Sequence, residues 1–472
     1  MAGSGTAILV AIYVVFLVGY GMRKGGKAKS FRDFTGMAAE PPLLVMTASM
    51  CAAFIGGGFS LGNAERAFES GIANTVLLLG FSAGQLVVGL FLAPKFSAVK
   101  NVSTAGGIIG KAAGGTAPRL LCGFLSAFFC VGVLGAQIHA LGSVAGYLFS
   151  LPPKLCSVIG FAVIVLYSTF GGLRASLKSD ALQITVLAVG LPLALVAALA
   201  AIGGPARLFS TLPTGHLSPR NGYTPAGFAS ALLTFAVGEM LCPPTVQRLL
   251  LSKKPRRVRG ATVLSGLVSA PFFAVTGLIG LCALALGTTA DSAAAMPSLI
   301  SSAVGFPLNA VICGAMLCVY LSSGGAFLNS CASALCEDVI NVWRPELDDR
   351  RKLSTTRIVN IVCGCIALIT AVSFDDVLNI LVLSYSFWAP IMLVPLILAL
   401  CGRRFSASTF IEASAAAAAS LLAWRLLGQP WGISPIIIGL VADGLTFVVL
   451  SNLKSKHGTI LLPCERGENH SS

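Results

Sequence analysis

The sequence predicts an all-α, polytopic membrane protein with about 13 transmembrane helices in a single transmembrane domain. Hydrophobic residues make up 56% of the 472 residues, charged residues only 11%, and the mean hydropathy is +0.87. Soluble domains carry about 25% charged residues. Apolar runs of about 20 residues, long enough to cross a hydrocarbon core of about 30 Å, recur along nearly the whole chain.

The predicted spans follow one another with short connections. Their approximate ranges are 6–22, 42–63, 71–93, 119–148, 153–170, 178–201, 225–250, 261–287, 306–336, 355–373, 376–400, 407–427 and 433–452. The first run, AILVAIYVVFLVGYGM, has no basic leader and no small-residue cleavage site. It is therefore predicted to be a retained leading helix rather than a signal peptide.

The net charge of +14 is explained by membrane topology. With the N-terminus outside, 27 of the 32 Lys and Arg residues fall in loops on one side of the membrane. The positive-inside rule then places the C-terminus and the tail 453–472 in the cytoplasm, and no nucleic-acid partner is needed to account for the charge. Short loops favour a plasma membrane, here the bacterial inner membrane.

Two predicted spans are interrupted near their middles. Span 42–63 carries the triple glycine 56–58, and span 225–250 carries the double proline 243–244. Glycine costs about 1 kcal/mol relative to alanine in a helix interior, and proline removes a helical hydrogen-bond donor. Both spans are therefore predicted to be broken helices.

The two broken spans divide the chain into repeats. Each opens a block of five spans, 42–201 and 225–400, and an odd number of crossings inverts the second block relative to the first. The leading helix 6–22 and two trailing helices, 407–452, complete the predicted architecture.

The glycines have two interpretations. Inverted-repeat transporters bind substrate and ions where corresponding helices are broken, since freed carbonyls are tolerated only beside a cavity. Alternatively, Gly58 and Gly62 form a GxxxG pattern that allows close helix packing. The matching break in span 225–250 favours unwinding.

Four stretches carry a recognisable pattern: MTASMCAAFIGGGFSLGNAERAFESG, YSTFGGLRASLKSDALQ, PPTVQRLLLSKKPRRVRGA and YLSSGGAFLNSCASALCEDV. They resemble the sodium:solute symporter family, and IGGGF with NAE is most similar to its high-affinity choline transporter branch. The resemblance implies a leucine-transporter-type fold with two inverted five-helix repeats, one leading helix and two trailing helices.

The resemblance also implies a sodium site between spans 42–63 and 306–336. The implied ligands are the backbone carbonyls of Ala52, Ile55 and Val319 and the hydroxyls of Ser322 and Ser323. Sodium is a hard cation that takes oxygen ligands, so such a site needs no carboxylate. The alternative is an ordinary polar helix face, because serines in membrane helices often bond to their own backbone.

A small organic solute is expected to bind at the two breaks. The predicted substrate-binding residues are Phe54, Gly56, Gly57, Gly58, Phe59, Glu239, Cys242 and Trp388. The choline transporters have tryptophans at positions that resemble Phe54 and Cys242, where they enclose a quaternary ammonium by cation–π contacts. Phenylalanine offers a weaker face and cysteine none, so these residues do not favour choline itself.

Two of these side chains allow more than one interpretation. Glu239 lies within the hydrocarbon region, where an ionisable group is costly and functional by default. It favours a cationic substrate or takes up a proton, or it is a protonated structural carboxyl. Trp388 either closes over the substrate or belongs to the helix core. Asp443, in the last span, has no interpretation from its sequence context.

The predicted function is a sodium-coupled secondary active symporter that imports a small organic solute by alternating access. A proton-coupled symporter using Glu239 and a non-transporting sensor on the same scaffold are the alternatives. The sequence contains no P-loop and so no sign of ATP-driven transport. GFSAG at 80–84 lacks the strand–turn–helix context of a hydrolase, and no enzyme is predicted. Sodium is the coupling ion, no cofactor is expected, and the predicted assembly in the lipid bilayer is a monomer or weak oligomer.

Overall fold

The computed structural model describes residues 4–25, 28–36, 40–373 and 377–456, and these form helices and loops without a β-strand. Fifteen helical segments build the membrane domain: α1 (Ser4–Gly25), α2 (Leu43–Phe54), α3 (Gly57–Ser70), α4 (Ala73–Phe96), α5 (Ala117–Phe149), α6 (Pro153–Leu173), α7 (Ser179–Ile202), α8 (Pro225–Gly238), α9 (Pro243–Leu249), α10 (Pro255–Leu286), α11 (Leu308–Trp343), α12 (Asp349–Ser373), α13 (Val377–Leu400), α14 (Ala407–Leu426) and α15 (Pro435–Lys456).

These segments confirm an all-helical, polytopic chain, and they support nine to 11 of the about 13 predicted spans. Within the described ranges, nine helices are long and apolar enough to cross a membrane, and two bent pairs raise the number to 11. The apolar helices Ser4–Tyr20 and Pro435–Leu450 coincide with the first and last predicted spans but are shorter than the other spans. Residue 376, the predicted start of one span, and the tail from residue 457 lie outside the described residues.

Both predicted breaks exist, although their positions differ from the expectation. Helices α2 and α3 meet at 54°, and α8 and α9 meet at 49°. Only residues 55–56 separate α2 from α3, so two of the three glycines are helical. The double proline 243–244 starts α9 instead of interrupting a helix, because the first turn has no intrahelical partner for its N–H groups and tolerates proline.

Helix α11 forms the centre of the bundle. Its apolar window is 94% buried, and it packs against α1, α2, α5, α6, α7 and α12. Helices α12 and α14 are only 33% buried over their windows, as expected of helices that face lipid. The hydroxyl side chains of α11, including those of Ser322 and Ser323, are therefore enclosed by protein.

A sharp turn at Gly172 positions the start of α7 beside α11. Gly172 has φ = 59°, and a Cβ atom there would lie 2.9 Å from the Phe34 backbone. Only glycine combines a positive φ with so close a backbone approach at little cost. The bent pairs α2–α3 and α8–α9 begin the two blocks 42–201 and 225–400, whose assignment as inverted repeats remains a prediction.

Candidate functional site

The break between α2 and α3 is filled by a side chain of α5. The Gly57 N–H donates a hydrogen bond of 2.7 Å to Gln137 Oε1. A Cβ atom on Gly56 would lie 2.2 Å from that oxygen, and one on Gly57 would lie 2.1 Å from Ala140 Cβ. The helix is thus interrupted at Gly56 and packs closely against α5 at Gly57, whereas a role for Gly58 and Gly62 in packing and for the glycines in ligand binding stay predictions.

The predicted sodium ligands lie where the end of α2 meets α11. The Ser323 hydroxyl donates a hydrogen bond to the Ala52 carbonyl. Ile55 follows the last residue of α2, and its ψ of 54° ends the series of helical backbone hydrogen bonds. Val319 lies one turn before Ser323 on α11. All of these residues are buried, and Ser322 is buried beside them.

Ser322 belongs to a buried polar network that the sequence did not reveal. Its hydroxyl donates to Asp180 Oδ1, while Asp180 Oδ2 accepts from Ser49 at 2.7 Å and from Ser176 at 2.9 Å. Arg248 Nε in turn donates to the Ser49 hydroxyl at 3.1 Å and to the Ser49 carbonyl at 2.9 Å. We call Ser49, Asp180, Arg248 and Ser322 the Asp180–Arg248 network.

This network joins four helices at one end of the predicted sodium site. Ser49 comes from α2, Asp180 from α7, Arg248 from α9 and Ser322 from α11. Arg248 lies near the end of the predicted span 225–250, and its side chain is 1% exposed within α9. A single arginine inside the apolar run VQRLLL was the signal that it is buried.

Five phenylalanines form an aromatic cluster around the break. Phe59 packs against Phe81, Phe235 and Phe273 with ring centroids at 5.1, 6.3 and 5.6 Å. Phe54 contacts Phe81 at 4.7 Å. We call these five residues the phenylalanine cluster. Phe81 and Phe273 carry no distinguishing signal within their apolar runs, and the sequence did not predict them.

Glu239 and Cys242 lie together in the break between α8 and α9. Glu239 is 3% exposed, and its Oε1 has no hydrogen-bond partner. The Tyr385 hydroxyl, which also has no partner, and Cys242 lie within electrostatic reach of the carboxyl group. Cys242 Sγ is 3.2 Å from Thr245 Oγ1. One carboxyl oxygen of Glu239 in the break and the phenol hydroxyl of Tyr385, which comes from α13, thus make no hydrogen bond within the protein.

Trp388 lies in a different aromatic group. It is fully buried, its ring centroid is 5.4 Å from that of Phe129, and its Nε1 points to Ser126 Oγ at 3.5 Å. Phe129 and Ser126 both belong to α5. These contacts favour the core interpretation of Trp388, and none of its ring contacts joins it to the phenylalanine cluster.

The comparisons with known proteins identify the family. The family model described as "Sodium:solute symporter family" matches residues 42–419. The chain belongs to the sodium:solute symporter family. Its relatives include the sodium/pantothenate symporter of Escherichia coli (strain K12), which is 22% identical over 94% of each chain. A shorter match is the high-affinity choline transporter 1 of Drosophila melanogaster, 25% identical over 40% of this chain and 31% of the relative.

Solved structures confirm the leucine-transporter-type fold. The structure of a substrate-bound, outward-open Na⁺-coupled sialic acid symporter superimposes with a TM-score of 0.84, covering 98% of this chain and 99% of that one at 16% identity. Membership in the sodium:solute symporter family and this fold support a sodium-coupled symporter rather than an enzyme. They also support an integral membrane protein, as the multiple apolar spans indicate.

Proposed function

We propose that the protein is a sodium-coupled symporter that imports a small organic solute across a plasma membrane, here the bacterial inner membrane, by alternating access. The proposed orientation, N-terminus outside and C-terminus inside, rests on the distribution of Lys and Arg. The observation that carries the proposal is the contact of Ser323 with the Ala52 carbonyl, because it joins the broken end of α2 to the central helix α11.

The coupling ion is proposed to bind at this contact. The carbonyls of Ala52, Ile55 and Val319 and the hydroxyls of Ser322 and Ser323 would supply five neutral oxygen ligands to sodium. A bound ion would then hold α2 against α11 in place of the single hydrogen bond. Because the Ser322 hydroxyl donates its hydrogen bond to Asp180, the lone pairs of the Ser322 oxygen stay available for the ion.

Sodium is expected to raise the melting temperature of the purified protein relative to potassium at equal ionic strength. Binding to the native state alone stabilises it by mass action, by about 2.7 kcal/mol at a concentration of 100 Kd. Ser322→Ala combined with Ser323→Ala should abolish this difference. Ser333→Ala is the matched control, because that hydroxyl bonds only within α11, to the Asn329 carbonyl. A sodium-specific rise that survives in the double variant would contradict the site.

The substrate class follows from the second break. We propose a solute with a positively charged nitrogen, since the phenylalanine cluster lies beside the first break and Glu239 offers an unpaired carboxyl oxygen at the second. Aromatic faces and a carboxylate both attract cations. The proposed substrate residues are Phe54, Gly56, Gly57, Gly58, Phe59, Glu239 and Cys242, and Trp388 is proposed to support them from the core.

Glu239→Gln is expected to leave the melting temperature unchanged or raise it, because the replaced oxygen makes no hydrogen bond in the protein. The variant should lose the further stabilisation that small amines give to the wild type in sodium chloride, while the stabilisation by sodium alone remains. A panel of small amines and small carboxylates measures both effects. Stabilisation by the carboxylates alone would contradict the proposed substrate class.

Proton coupling through Glu239 is the second candidate, and the same unpaired oxygen favours it. It predicts uptake in proteoliposomes that follows an imposed pH gradient in the absence of sodium. The sodium proposal predicts no uptake under those conditions. Glu239→Gln would abolish pH-driven uptake, whereas the Ser322 and Ser323 variants would leave it intact.

A further inference from the structure

A polar cavity of about 390 Å³ lies at the end of the bundle that the proposed orientation places in the cytoplasm. It is lined by the short helix Phe31–Phe34, the loop 101–104, the helix Ala105–Ala113, the start of α5 and the end of α11. Sites for small molecules have volumes of about 300 to 1,000 Å³. The residues proposed to bind sodium and solute are not among those that line this cavity.

Ion pairs neutralise one part of the cavity wall. Arg119 of α5 and Glu337 of α11 line the cavity, and Arg119 Nη2 is 3.4 Å from Glu337 Oε2. Arg119 Nε is also 3.2 Å from Oδ1 of the buried Asp338. Lys352 Nζ is 3.3 Å from Glu337 Oε1. Two cations and two carboxylates thus compensate one another.

Two further cations line the cavity without an acidic partner. Arg32 comes from the short helix and Lys111 from Ala105–Ala113, and both residues are exposed. Neither forms an ion pair with any described residue. Lys111 Nζ donates to the Lys100 carbonyl at 2.8 Å, which leaves its charge uncompensated. Because Glu337 is the one acidic residue among the described lining residues, the three basic residues leave the lining with a net charge of +2.

An almost fully buried hydroxyl without a partner also lines the cavity. Ser103 is 7% exposed, and its side chain forms no hydrogen bond with the part of the chain that the structure describes. Asn101, two residues earlier, lines the cavity with it. Buried polar groups are normally hydrogen-bonded, so a ligand oxygen in the cavity would supply the partner that Ser103 lacks.

The other carboxylates nearby bond to groups of the protein. The Asp349 carboxylate accepts the Phe31 N–H at 3.2 Å, and Asp338 Oδ1 accepts the Thr104 hydroxyl at 2.9 Å. Asp33, Asp338 and Asp349 do not line the cavity. The cavity therefore favours an anion over a cation.

We propose that this cavity binds a phosphate group through Arg32 and Lys111, with Ser103 and Asn101 as neutral hydrogen-bond donors. A phosphate monoester carries a charge of about −1.5 to −2 at pH 7, which the lining charge of +2 compensates. Guanidinium and ammonium groups are the usual cationic partners of phosphate oxygens. Two sources supply such a group at this surface: a soluble phosphorylated compound and the headgroup of an anionic lipid.

The first measurement is equilibrium dialysis of ³²P-labelled inorganic phosphate against the purified full-length protein in potassium chloride. The wild type is expected to bind phosphate saturably. Arg32→Gln combined with Lys111→Gln should weaken this binding by about tenfold or more, because two charge-assisted hydrogen bonds are lost. Both positions are exposed, so the fold should tolerate the changes. Lys253→Gln with Arg259→Gln is the matched control, since it removes the same charges from exposed positions outside the cavity.

The second measurement distinguishes the two sources of phosphate. Native mass spectrometry counts the lipids that the protein retains from mixed vesicles of phosphatidylcholine and phosphatidylglycerol. If the ligand is a lipid headgroup, the wild type retains phosphatidylglycerol preferentially, and the Arg32 and Lys111 variant loses this preference. If the ligand is soluble, the variant loses inorganic phosphate binding while lipid retention stays the same.

Three outcomes would overturn the proposal. The first is that the wild type binds neither inorganic phosphate nor phosphatidylglycerol preferentially. The second is equal binding of both by the wild type and the Arg32 and Lys111 variant. The third is an equal loss in the Lys253 and Arg259 control, which would show non-specific attraction to the basic surface. None of these outcomes bears on sodium-coupled transport, which the melting temperatures in sodium and potassium test separately.

Discussion

Gly57→Ala is expected to destabilise the protein, and a second substitution, Ala140→Gly, is expected to restore much of the loss. In most helices the first change would stabilise, because alanine is favoured over glycine by about 1 kcal/mol. Here the new Cβ atom would lie 2.1 Å from Ala140 Cβ, far inside contact distance. Overpacking of this kind costs about 1 to 3 kcal/mol. This cost exceeds the gain in helix propensity, so the net change in the free energy of unfolding is expected to be destabilising.

Removing the methyl group of Ala140 opens the space that the new Cβ needs. The double variant should therefore melt above Gly57→Ala alone, although Ala140→Gly by itself lowers the melting temperature through the helix propensity of glycine. Uptake should follow the same order, since the Gly57 N–H to Gln137 bond depends on this close approach.

The measurement is a double-mutant cycle of melting temperatures with sodium-driven uptake beside it. Gly19→Ala is the matched control, because Gly19 is a helical glycine of α1 with no atom within 4 Å of an added Cβ. That variant should be neutral or slightly stabilising. A double variant less stable than either single variant would show that the packing of α3 on α5 does not set the requirement for glycine.

The order of spans was readable from the sequence because hydropathy over about 20 residues is a local property. The limits of the breaks were not, because they depend on tertiary contacts. Gln137, from α5, accepts the N–H of Gly57, which restarts the helix at that residue. The prolines at 243–244 mark the start of a helix. From the sequence alone, prolines at a helix start cannot be told from prolines that interrupt a helix.

The candidate site was predicted only in part, for a similar reason. The ligands on α2 and α11 belong to motifs, and the structure brings Ser323 to Ala52. The contact of Ser322 with Asp180, and of Ser49 with Arg248, joins stretches that are far apart in the chain. The local sequence around these residues does not indicate which of them will be in contact. Its only signal is that a charged residue, such as Arg248, stands in an apolar run.

Asp180→Asn and Arg248→Gln are each expected to destabilise the protein strongly, and the double variant is expected to lose less than the sum. Both side chains are almost completely buried and face one another through Ser49. Removing one member of a buried charge pair leaves the other uncompensated and costs about 3 to 5 kcal/mol. Arg248 Nη2 already has no hydrogen-bond partner, so its charge depends on Asp180 for neutralisation.

The sodium response distinguishes a purely structural network from one that tunes the ion site. Asp180→Asn removes the negative charge that accepts the Ser322 hydrogen bond, so the sodium-specific rise in melting temperature should shrink in this variant and in the double variant alike. Arg248→Lys keeps the charge but cannot reproduce the bond from Nε to Ser49, so it should be destabilised and still respond to sodium. If the double variant responds to sodium like the wild type, the Asp180–Arg248 network only holds the helices together, and the ion site depends on α2 and α11 alone.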